Sequence, residues 1–392
     1  MAPEVTQTES RKFGVEPRKY EPKTGRAQAC LLLCLFLLVT HLNAENTIVL
    51  GPGRLAANPK TDHPRSFKFP QDHFFHTGYR VEWCYFVGIL ETDSGPMGYE
   101  LSFFRAYFGP KVTVYPVHFA ISDMRNKIHK TAQVLERELG NLAGQDKRSI
   151  WSGDYRLEIL GPASFRISAF PREEPGFGIE LDLKGKTENI LLHGNKGKSL
   201  KSRNRPGFYS YYYSIPRLET KGTMYLDGKE YAIQSGQTWM DHEWSSPENS
   251  PDSRSDLFSK ENSWDWICIQ LDDGSDVMAF NFRSGRGEPS ETFGTIRNKE
   301  GDVLSLEKEG QLLFRAKPQS WTSSKTGIPY RLNWTIETET LKLEISPKFE
   351  DQEFDARQSS GLIYWEGGID VKGWKDGKPV TGKGYLELKG SR

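Results

Sequence analysis

The sequence has few cysteines and no excess of charge of either sign. Its 392 residues include four Cys, and 52 Lys and Arg balance 52 Asp and Glu. Four cysteines are too few for a disulfide scaffold. A balanced charge without a basic block argues against a nucleic-acid partner, because nucleic acids are bound by one-sided basic surfaces. The hydrophobic residues, 36% of the total, exclude wholesale disorder.

Standard catalytic signatures are also missing. The sequence contains no G-x-S-x-G nucleophile elbow, no phosphate-binding loop and no dinucleotide-type glycine pattern. His242-Glu243 resembles the start of a zinc-protease motif, but no second histidine follows at the required spacing. The segment with Asp72, His73 and His76 has the donor types and spacing of a partial metal site. No further ligand motif lies nearby, so we expect a structural or cavity-lining role. We therefore predict no metal and no cofactor.

No apolar run is long enough to span a bilayer as a helix. The longest, Ala29–Val39, has about 11 residues against the roughly 20 required. Basic residues precede this run and Ala44 offers a small residue at a cleavage position, a pattern typical of a secretory signal peptide. We predict a signal peptide at 1–44, with retention of this segment as an anchor as the alternative. We also predict an N-terminal extension at 45–68 and a periplasmic or secreted protein.

Only two cysteines follow the predicted signal peptide. Cys84 and Cys268 both lie inside apolar, strand-like runs. We expect two small core residues, with a disulfide between them as the less favoured alternative.

Strand patterns dominate from residue 79 onward. Runs rich in aromatic and β-branched residues alternate with turn signals, such as the Asp-Gly pairs at 227–228, 273–274 and 376–377. Only Asn126–Leu139 has much helical propensity, and its apolar spacing is poor. The sequence therefore predicts an all-β protein built from antiparallel barrels or sandwiches.

A faint internal repeat divides the chain. The segments Glu82–Arg105 and Asp265–Arg283 each open with an acidic residue before a Trp and close on Phe-Arg. One all-β unit used twice predicts an N-terminal domain at 69–246 and a C-terminal domain at 263–392. The polar stretch 247–262 has the composition of a linker. Because the opening acid occurs in both copies, we favour a structural role for Glu82 and Asp265.

The densest cluster of functional residue types runs from Trp239 to Trp244. On a strand, Trp239, Asp241 and Glu243 share one face, while His242 lies on the other. Two carboxylates beside a tryptophan in an apolar run form a plausible general acid with a raised pKa. The alternative is that these polar groups satisfy one another at the domain joint.

Residues 208–213 form a run rich in aromatic side chains. Alternation puts Tyr209, Tyr211 and Tyr213 on one face of a strand, and Phe208 and Tyr212 on the other. We expect one face to pack and the other to line a cavity for an extended apolar ligand. A strand buried on both faces is the alternative.

Six segments follow one another in a characteristic order: Phe69–His76, Glu82–Phe86, Gly98–Arg105, Trp239–Trp244, Trp264–Trp266 and Tyr364–Gly367. Taken together, they resemble one family, the lipocalin-like carotenoid 1,2-hydratases (hydroxyneurosporene synthases) and AttH-like predicted secreted hydrolases. The similarity runs in order from about Phe69 to Leu388. It implies two lipocalin-like antiparallel β-barrel domains packed side by side, and a cofactor-free protein that handles an apolar, isoprenoid-like molecule.

The resemblance also implies a reaction. In carotenoid hydratases an acidic side chain protonates a terminal C=C bond, and water captures the tertiary cation. Carried over, Asp241 is the candidate acid, with His242 and Glu243 as its catalytic neighbours. The predicted substrate-binding residues are Trp239, Trp244, Trp266, Tyr209, Tyr211, Tyr213, His73 and His76.

Two other functions stay open for a protein of this kind. Fungal relatives with a similar build are pericyclases, which mainly shape a substrate. A non-catalytic carrier of a lipid or isoprenoid, linked to an envelope transporter, is the other alternative. In each case the expected partner is an apolar small molecule, and function is expected in the aromatic interior.

Overall fold

The computed structural model describes residues 61, 63–108, 112–205, 207–246, 262–284 and 290–389. All of them belong to one compact unit. The predicted signal peptide 1–44 lies outside the described residues, as does nearly all of the predicted linker 247–262. Within the described residues, no helix combines the length and apolar character needed to cross a membrane.

Antiparallel strands form almost all of the regular structure in the first half of the described chain. The short 3₁₀ helices are Gln71–His73, Leu139–Asn141 and Thr187–Asn189. The strands up to residue 245 are β1 Val81–Thr92, β2 Gly95–Phe108, β3 Val112–Asp123, β4 Ile128–Arg137, β5 Ala143–Gln145, β6 Ser149–Ser152, β7 Tyr155–Gly161, β8 Ser164–Ala169, β9 Gly178–Lys184, β10 Leu191–Leu192, β11 Lys198–Leu200, β12 Tyr209–Leu226 and β13 Lys229–Ser245.

The second half repeats this pattern, which confirms the predicted all-β class. Its strands are β14 Asn262–Leu271, β15 Asp276–Ser284, β16 Glu291–Arg297, β17 Val303–Leu306, β18 Leu313–Ala316, β19 Trp321–Thr322, β20 Pro329–Tyr330, β21 Trp334–Glu337, β22 Leu341–Pro347, β23 Glu353–Ala356, β24 Leu362–Lys375 and β25 Lys378–Lys389.

The two large sheets share one strand order. The first sheet runs β4-β3-β2-β1-β13-β12-β9-β8-β7-β6-β5, and the second runs β17-β16-β15-β14-β25-β24-β22-β21-β18. In each sheet the first strand lies between the second strand and the last, as in an up-and-down barrel. The first sheet is nearly closed, with β4 and β5 as its edges. This common order agrees with the internal repeat in the sequence.

Strand β1 explains why the two sheets pack together. Its side chains are buried on both faces from Cys84 to Leu90. One face, with Cys84 and Phe86, belongs to the core of the first sheet. The other face, with Tyr85 and Val87, packs in a cluster that includes residues of the second sheet. A continuous hydrophobic run therefore marks the strand that is covered on both sides.

The segment with helical propensity forms a strand instead. Within Asn126–Leu139, residues 128–137 are β4, which pairs along its whole length with β3. Ladder hydrogen bonds to β3 outweigh the local preference, as tertiary context often does. The cysteines follow expectation, because Cys84 and Cys268 are both buried and free.

Buried charges tie the two sheets together. Arg217, on β12, donates from Nε to Oδ1 of Asp276 at 2.8 Å, and Arg297 donates to Oδ2 of the same carboxylate at 2.7 Å. Asp276 and Arg297 belong to the second sheet, and Asp276 is fully buried. Two arginines on one carboxylate form charge-assisted hydrogen bonds. This contact fixes the two walls between which the candidate site lies.

Candidate active site

A cavity of about 100 Å³ lies between the two sheets. Aromatic rings and carboxyl groups from both sheets form its walls. The first half of the chain contributes Trp83, Tyr85, Ser102, Phe104, His118, Lys201, Tyr212, Asp241 and Glu243. The second half contributes Trp264, Trp266, Phe280, Phe282, Leu362, Tyr364, Glu366 and Glu387.

The interior of the first sheet is packed with aromatic side chains. Phe67, from the segment before β1, makes edge contacts with the rings of Tyr211, Tyr213 and Trp244 at centroid distances of 6.4, 5.9 and 5.7 Å. The structure therefore places these three predicted substrate-binding residues in the core and not in the cavity wall. The cavity side of β12 is instead occupied by Tyr212.

His242, predicted as a catalytic neighbour, points into the same core. Its Nδ1 is 3.0 Å from the Tyr213 hydroxyl and its Nε2 is 2.6 Å from Oε1 of Glu82. Burial lowers the pKa of His242, so the ring is neutral near pH 7. The side chain faces away from Asp241, as strand alternation predicts.

The two N-terminal histidines join this network. His73 is hydrogen-bonded through Nδ1 to the Tyr213 hydroxyl at 2.6 Å. His76 is hydrogen-bonded through Nδ1 to Glu82 at 2.7 Å and through Nε2 to Asp72 at 2.9 Å. Both histidines, predicted to bind substrate, thus lie outside the cavity wall. They connect the segment before β1 to the core.

Among the described residues, one group has donor atoms close enough to suit a metal ion. Ligand atoms of His76, Glu82 and His242 lie within 4.8 Å of one another. Both histidines are hydrogen-bonded to the same Glu82 oxygen. Burial alone raises the pKa of Glu82, but the charge of His76 and hydrogen bonds from both histidines lower it to about 2. The pKa of His76 is raised by the two carboxylates despite burial. The arrangement is an ion-pair network with a structural role.

Asp241 lies in the cavity wall and is 3% exposed. Its Oδ1 accepts hydrogen bonds from Ser214 and from Nε1 of Trp239, the latter at 2.6 Å, and its Oδ2 accepts one from the Tyr212 hydroxyl at 2.5 Å. Burial raises the pKa of Asp241 to about 7, and these hydrogen bonds limit the rise. Near neutral pH both the protonated and the ionised form of this carboxyl group are therefore populated.

Further contacts hold the groups around Asp241. Ser214 is bonded to Nε2 of His193 at 2.6 Å, and burial keeps the pKa of that histidine well below its usual range. Trp266 donates from Nε1 to the Tyr212 hydroxyl at 3.0 Å. Trp266 thus lines the cavity as predicted, whereas Trp239 orients Asp241.

Glu243 also lines the cavity, but its carboxylate is ion-paired. Nζ of Lys201 lies 2.7 Å from Oε1 of Glu243, and both side chains are 6% exposed. The same ammonium lies 4.8 Å from the ring centroid of Tyr212 and 4.4 Å from that of Phe280. Glu243, predicted as a catalytic neighbour, is therefore engaged in holding the buried ammonium of Lys201.

The second sheet brings two more carboxyl groups to the cavity. Glu366 accepts a hydrogen bond from the Tyr85 hydroxyl, and Glu387 accepts one from Nε1 of Trp264 at 2.6 Å. Burial raises the pKa of Glu366 well above its usual range and that of Glu387 to about 7. The cavity is therefore an apolar space with protonatable groups on both walls.

Comparison with known proteins identifies the family. The family model of AttH-like proteins matches residues 60–391. This chain belongs to the AttH-like family. An AttH-type protein from Nitrosomonas europaea has a similar crystal structure, with 30% sequence identity and a TM-score of 0.72 over 84% of this chain and 98% of that one. No curated protein matches the sequence. The family match confirms the resemblance seen in the motifs.

Two more distant structures share the fold of this AttH-like protein. Kievitone hydratase from Nectria haematococca is 17% identical, with a TM-score of 0.63 over 87% of this chain and 98% of its own. CghA in complex with Sch210972 is 9% identical, with a TM-score of 0.52 over 80% of this chain and 89% of its own. At these identities the likeness shows the fold alone.

Several cavity residues of the AttH-like protein were not among the predicted site residues. Alternation places Tyr212 on the opposite face from Tyr211 and Tyr213, and residues 210–216 of β12 are buried on both faces. Lys201 follows β11 without any sequence pattern around it. Glu366 occurs in a motif that carried the resemblance, but no feature of the motif shows that its side chain meets Tyr85 of the other sheet. Tyr209, which was predicted to bind substrate, is partly buried, with Nζ of Lys198 4.2 Å from its ring centroid.

Proposed function

We propose that this AttH-like protein is a hydratase-type enzyme that adds water to a C=C bond of an apolar isoprenoid or lipid in the cavity between its sheets. The observation that carries this proposal is a buried carboxyl group, Asp241, with its pKa near neutrality in an aromatic cavity. A general acid works best when its pKa lies close to the working pH. The shared fold of kievitone hydratase supports a hydration reaction.

The proposed reaction has two bond-forming steps. Asp241 transfers its proton to the less substituted alkene carbon, the π bond breaks, and a tertiary cation forms at the other carbon. The oxygen of a water molecule then attacks the cation, and the oxonium ion loses a proton to cavity water to give a tertiary alcohol. The Asp241 carboxylate takes up a proton from water, which restores the acid. The ring of Trp266 in the cavity wall stabilises the cation, because its face carries negative charge density.

The expected location and partners are separate proposals. We propose export on the basis of residues 1–44, and contact with an envelope transporter on the basis of the family resemblance. The proposed reaction requires neither export nor a transporter.

The proposed function is tested with geraniol, an isoprenoid with a terminal trisubstituted alkene, in H₂¹⁸O. We expect a tertiary alcohol that carries one ¹⁸O atom, detected by mass spectrometry. A carrier would return geraniol unchanged, and a purely pericyclic enzyme would yield isomers of geraniol without label. Either of these results, in the absence of labelled alcohol, contradicts the proposed hydration.

The rate should depend on pH in a defined direction. Because the active form of Asp241 is the protonated acid and its pKa is about 7, we expect kcat to fall about tenfold per pH unit above pH 7. Steady-state rates measured between pH 6 and pH 9 provide the test. A flat profile up to pH 9 would exclude Asp241 as the proton donor.

A further inference from the structure

Two glutamates face each other on neighbouring strands of the second sheet. Glu366 on β24 and Glu387 on β25 are directly opposite in the register, and both side chains line the cavity. Like charges directly opposite on a sheet repel each other, and burial adds a desolvation cost to each charge. If both were ionised, this pair would destabilise the fold. Positions that break the local rules of packing in this way are often functional.

The hydrogen-bond partners of the two glutamates differ in character. Trp264 donates from Nε1 to Oε1 of Glu387 at 2.6 Å, and an indole N–H can only donate. It therefore suits an ionised Glu387. Glu366 is bonded to the Tyr85 hydroxyl, which can donate or accept and so suits either form of the carboxyl group. These contacts favour the carboxylate form of Glu387, because a hydrogen bond to a charged acceptor is stronger, and they suit either form of Glu366.

The electrostatic surroundings agree with this division. Burial raises the pKa of Glu366 well above its usual range, with Glu100 and Glu387 adding to the rise. Burial raises the pKa of Glu387 to about 7, although the hydrogen bond from Trp264 lowers it. Asp241 also raises the pKa of Glu387, so the groups on the two walls influence each other.

We propose that Glu366 and Glu387 hold a single proton between them, and that the carboxylate of Glu387 accepts the proton of the water that attacks the cation. This inference rests on the proposed hydration and adds a base to it. As the C–O bond forms, an O–H bond of the water breaks and its proton passes to Glu387. The proton then returns through cavity water to the Asp241 carboxylate. The sum is alkene plus water to alcohol, with every side chain restored.

A purely structural role is the competing explanation. The bond from Tyr85 to Glu366 joins β1 of the first sheet to β24 of the second, so the pair also helps to hold the sheets together. A structural role requires neither a shared proton nor an effect on one chemical step. Infrared spectra measure the first of these properties, and deuterium exchange measures the second.

The first test is spectroscopic and needs no substrate. Infrared difference spectra at pH 8 compare the wild-type protein with Glu366→Gln and Glu387→Gln, because a protonated carboxyl and a carboxylate absorb at different frequencies. We expect Glu366→Gln to remove one protonated-carboxyl band, and Glu387→Gln to remove only carboxylate bands. If Glu366→Gln removes no such band, or if both variants remove one, the pair does not hold a single proton and the proposal fails.

The second test separates the base from the acid with geraniol in D₂O. The deuteron from Asp241 adds to the less substituted alkene carbon, and the cation can then lose the hydrogen already on that carbon. Reversible transfer therefore leaves deuterium on the less substituted alkene carbon, whether or not water is captured. In Glu387→Gln we expect alcohol formation to fall about 100-fold while this exchange continues. Wild-type alcohol formation in the variant, or loss of exchange together with the alcohol, would overturn the role of Glu387 as base.

A matched control comes from the same sheet. Glu353 is buried outside the cavity and accepts hydrogen bonds from Ser323 at 2.5 Å, Thr326 at 2.6 Å and Tyr330 at 2.9 Å. Glu353→Gln should leave the ratio of exchange to alcohol unchanged, and a change there would contradict the assignment to Glu387. If the wild-type protein forms no alcohol, the proposed function fails, and the base role fails with it. The infrared result still decides whether the proton is shared.

Discussion

Replacing Asp241 with Asn should reduce the rate of hydration by at least about 100-fold, because an amide cannot supply the proton that starts the reaction. The amide oxygen can still accept hydrogen bonds from Trp239 and Ser214, and the Tyr212 hydroxyl can accept from the new NH₂ group. The variant is therefore expected to fold and to bind geraniol. Measured kcat and KM should show the loss in kcat.

The pH dependence of stability gives an independent test of the same residue. The pKa of Asp241 is about 7 in the folded protein against an ordinary value of 3.8, so its favourable effect on folding is complete below pH 3.8 and disappears as pH rises towards 7. The Asn variant lacks this dependence. We expect its Tm relative to that of the wild-type protein to be higher at pH 8 than at pH 5.

Glu353→Gln is the control for the rate, because it removes a buried carboxyl group outside the cavity. It should retain wild-type kcat. If Asp241→Asn hydrates geraniol at the wild-type rate, Asp241 is not the acid, and Glu366 or Glu387 becomes the group to examine.

Much of the fold could be predicted from local patterns in the sequence. Alternating burial along β22 places Leu341, Leu343 and Ile345 inward and Lys342 and Glu344 outward, the signature of a half-exposed strand. The repeated acidic-Trp hairpins predicted two similar units, and the two sheets share one strand order. These features depend on residues close together in sequence, which is why the sequence alone reveals them.

Less of the candidate site could be predicted from the sequence. Asp241 stood out because carboxylates rarely sit among tryptophans in an apolar strand. Alternation separates Tyr212 from Tyr213, but it cannot show which face meets the cavity, because residues 210–216 of β12 are buried on both faces. The positions of Glu366 and Glu387 in the cavity wall depend on the packing of one sheet against the other. That arrangement is set by contacts between distant parts of the chain.

The second large effect expected concerns stability. Glu243→Gln leaves the ammonium of Lys201 buried beside aromatic rings without a charged partner. Removing one member of a buried ion pair typically costs about 3–5 kcal/mol, because the remaining charge is desolvated and uncompensated. We expect a loss of this size in the free energy of unfolding, measured with urea.

A double-mutant cycle tests whether the pair itself is responsible. Lys201→Met together with Glu243→Gln removes both charges, and buried pairs replaced by neutral groups are often as stable as the original. We therefore expect the double variant to be more stable than Glu243→Gln alone. Asp182→Asn, which breaks the exposed pair with Arg166, should leave the unfolding midpoint unchanged. If Glu243→Gln behaves like this surface variant, water reaches Lys201 freely, and the cavity is more polar than the hydration mechanism requires.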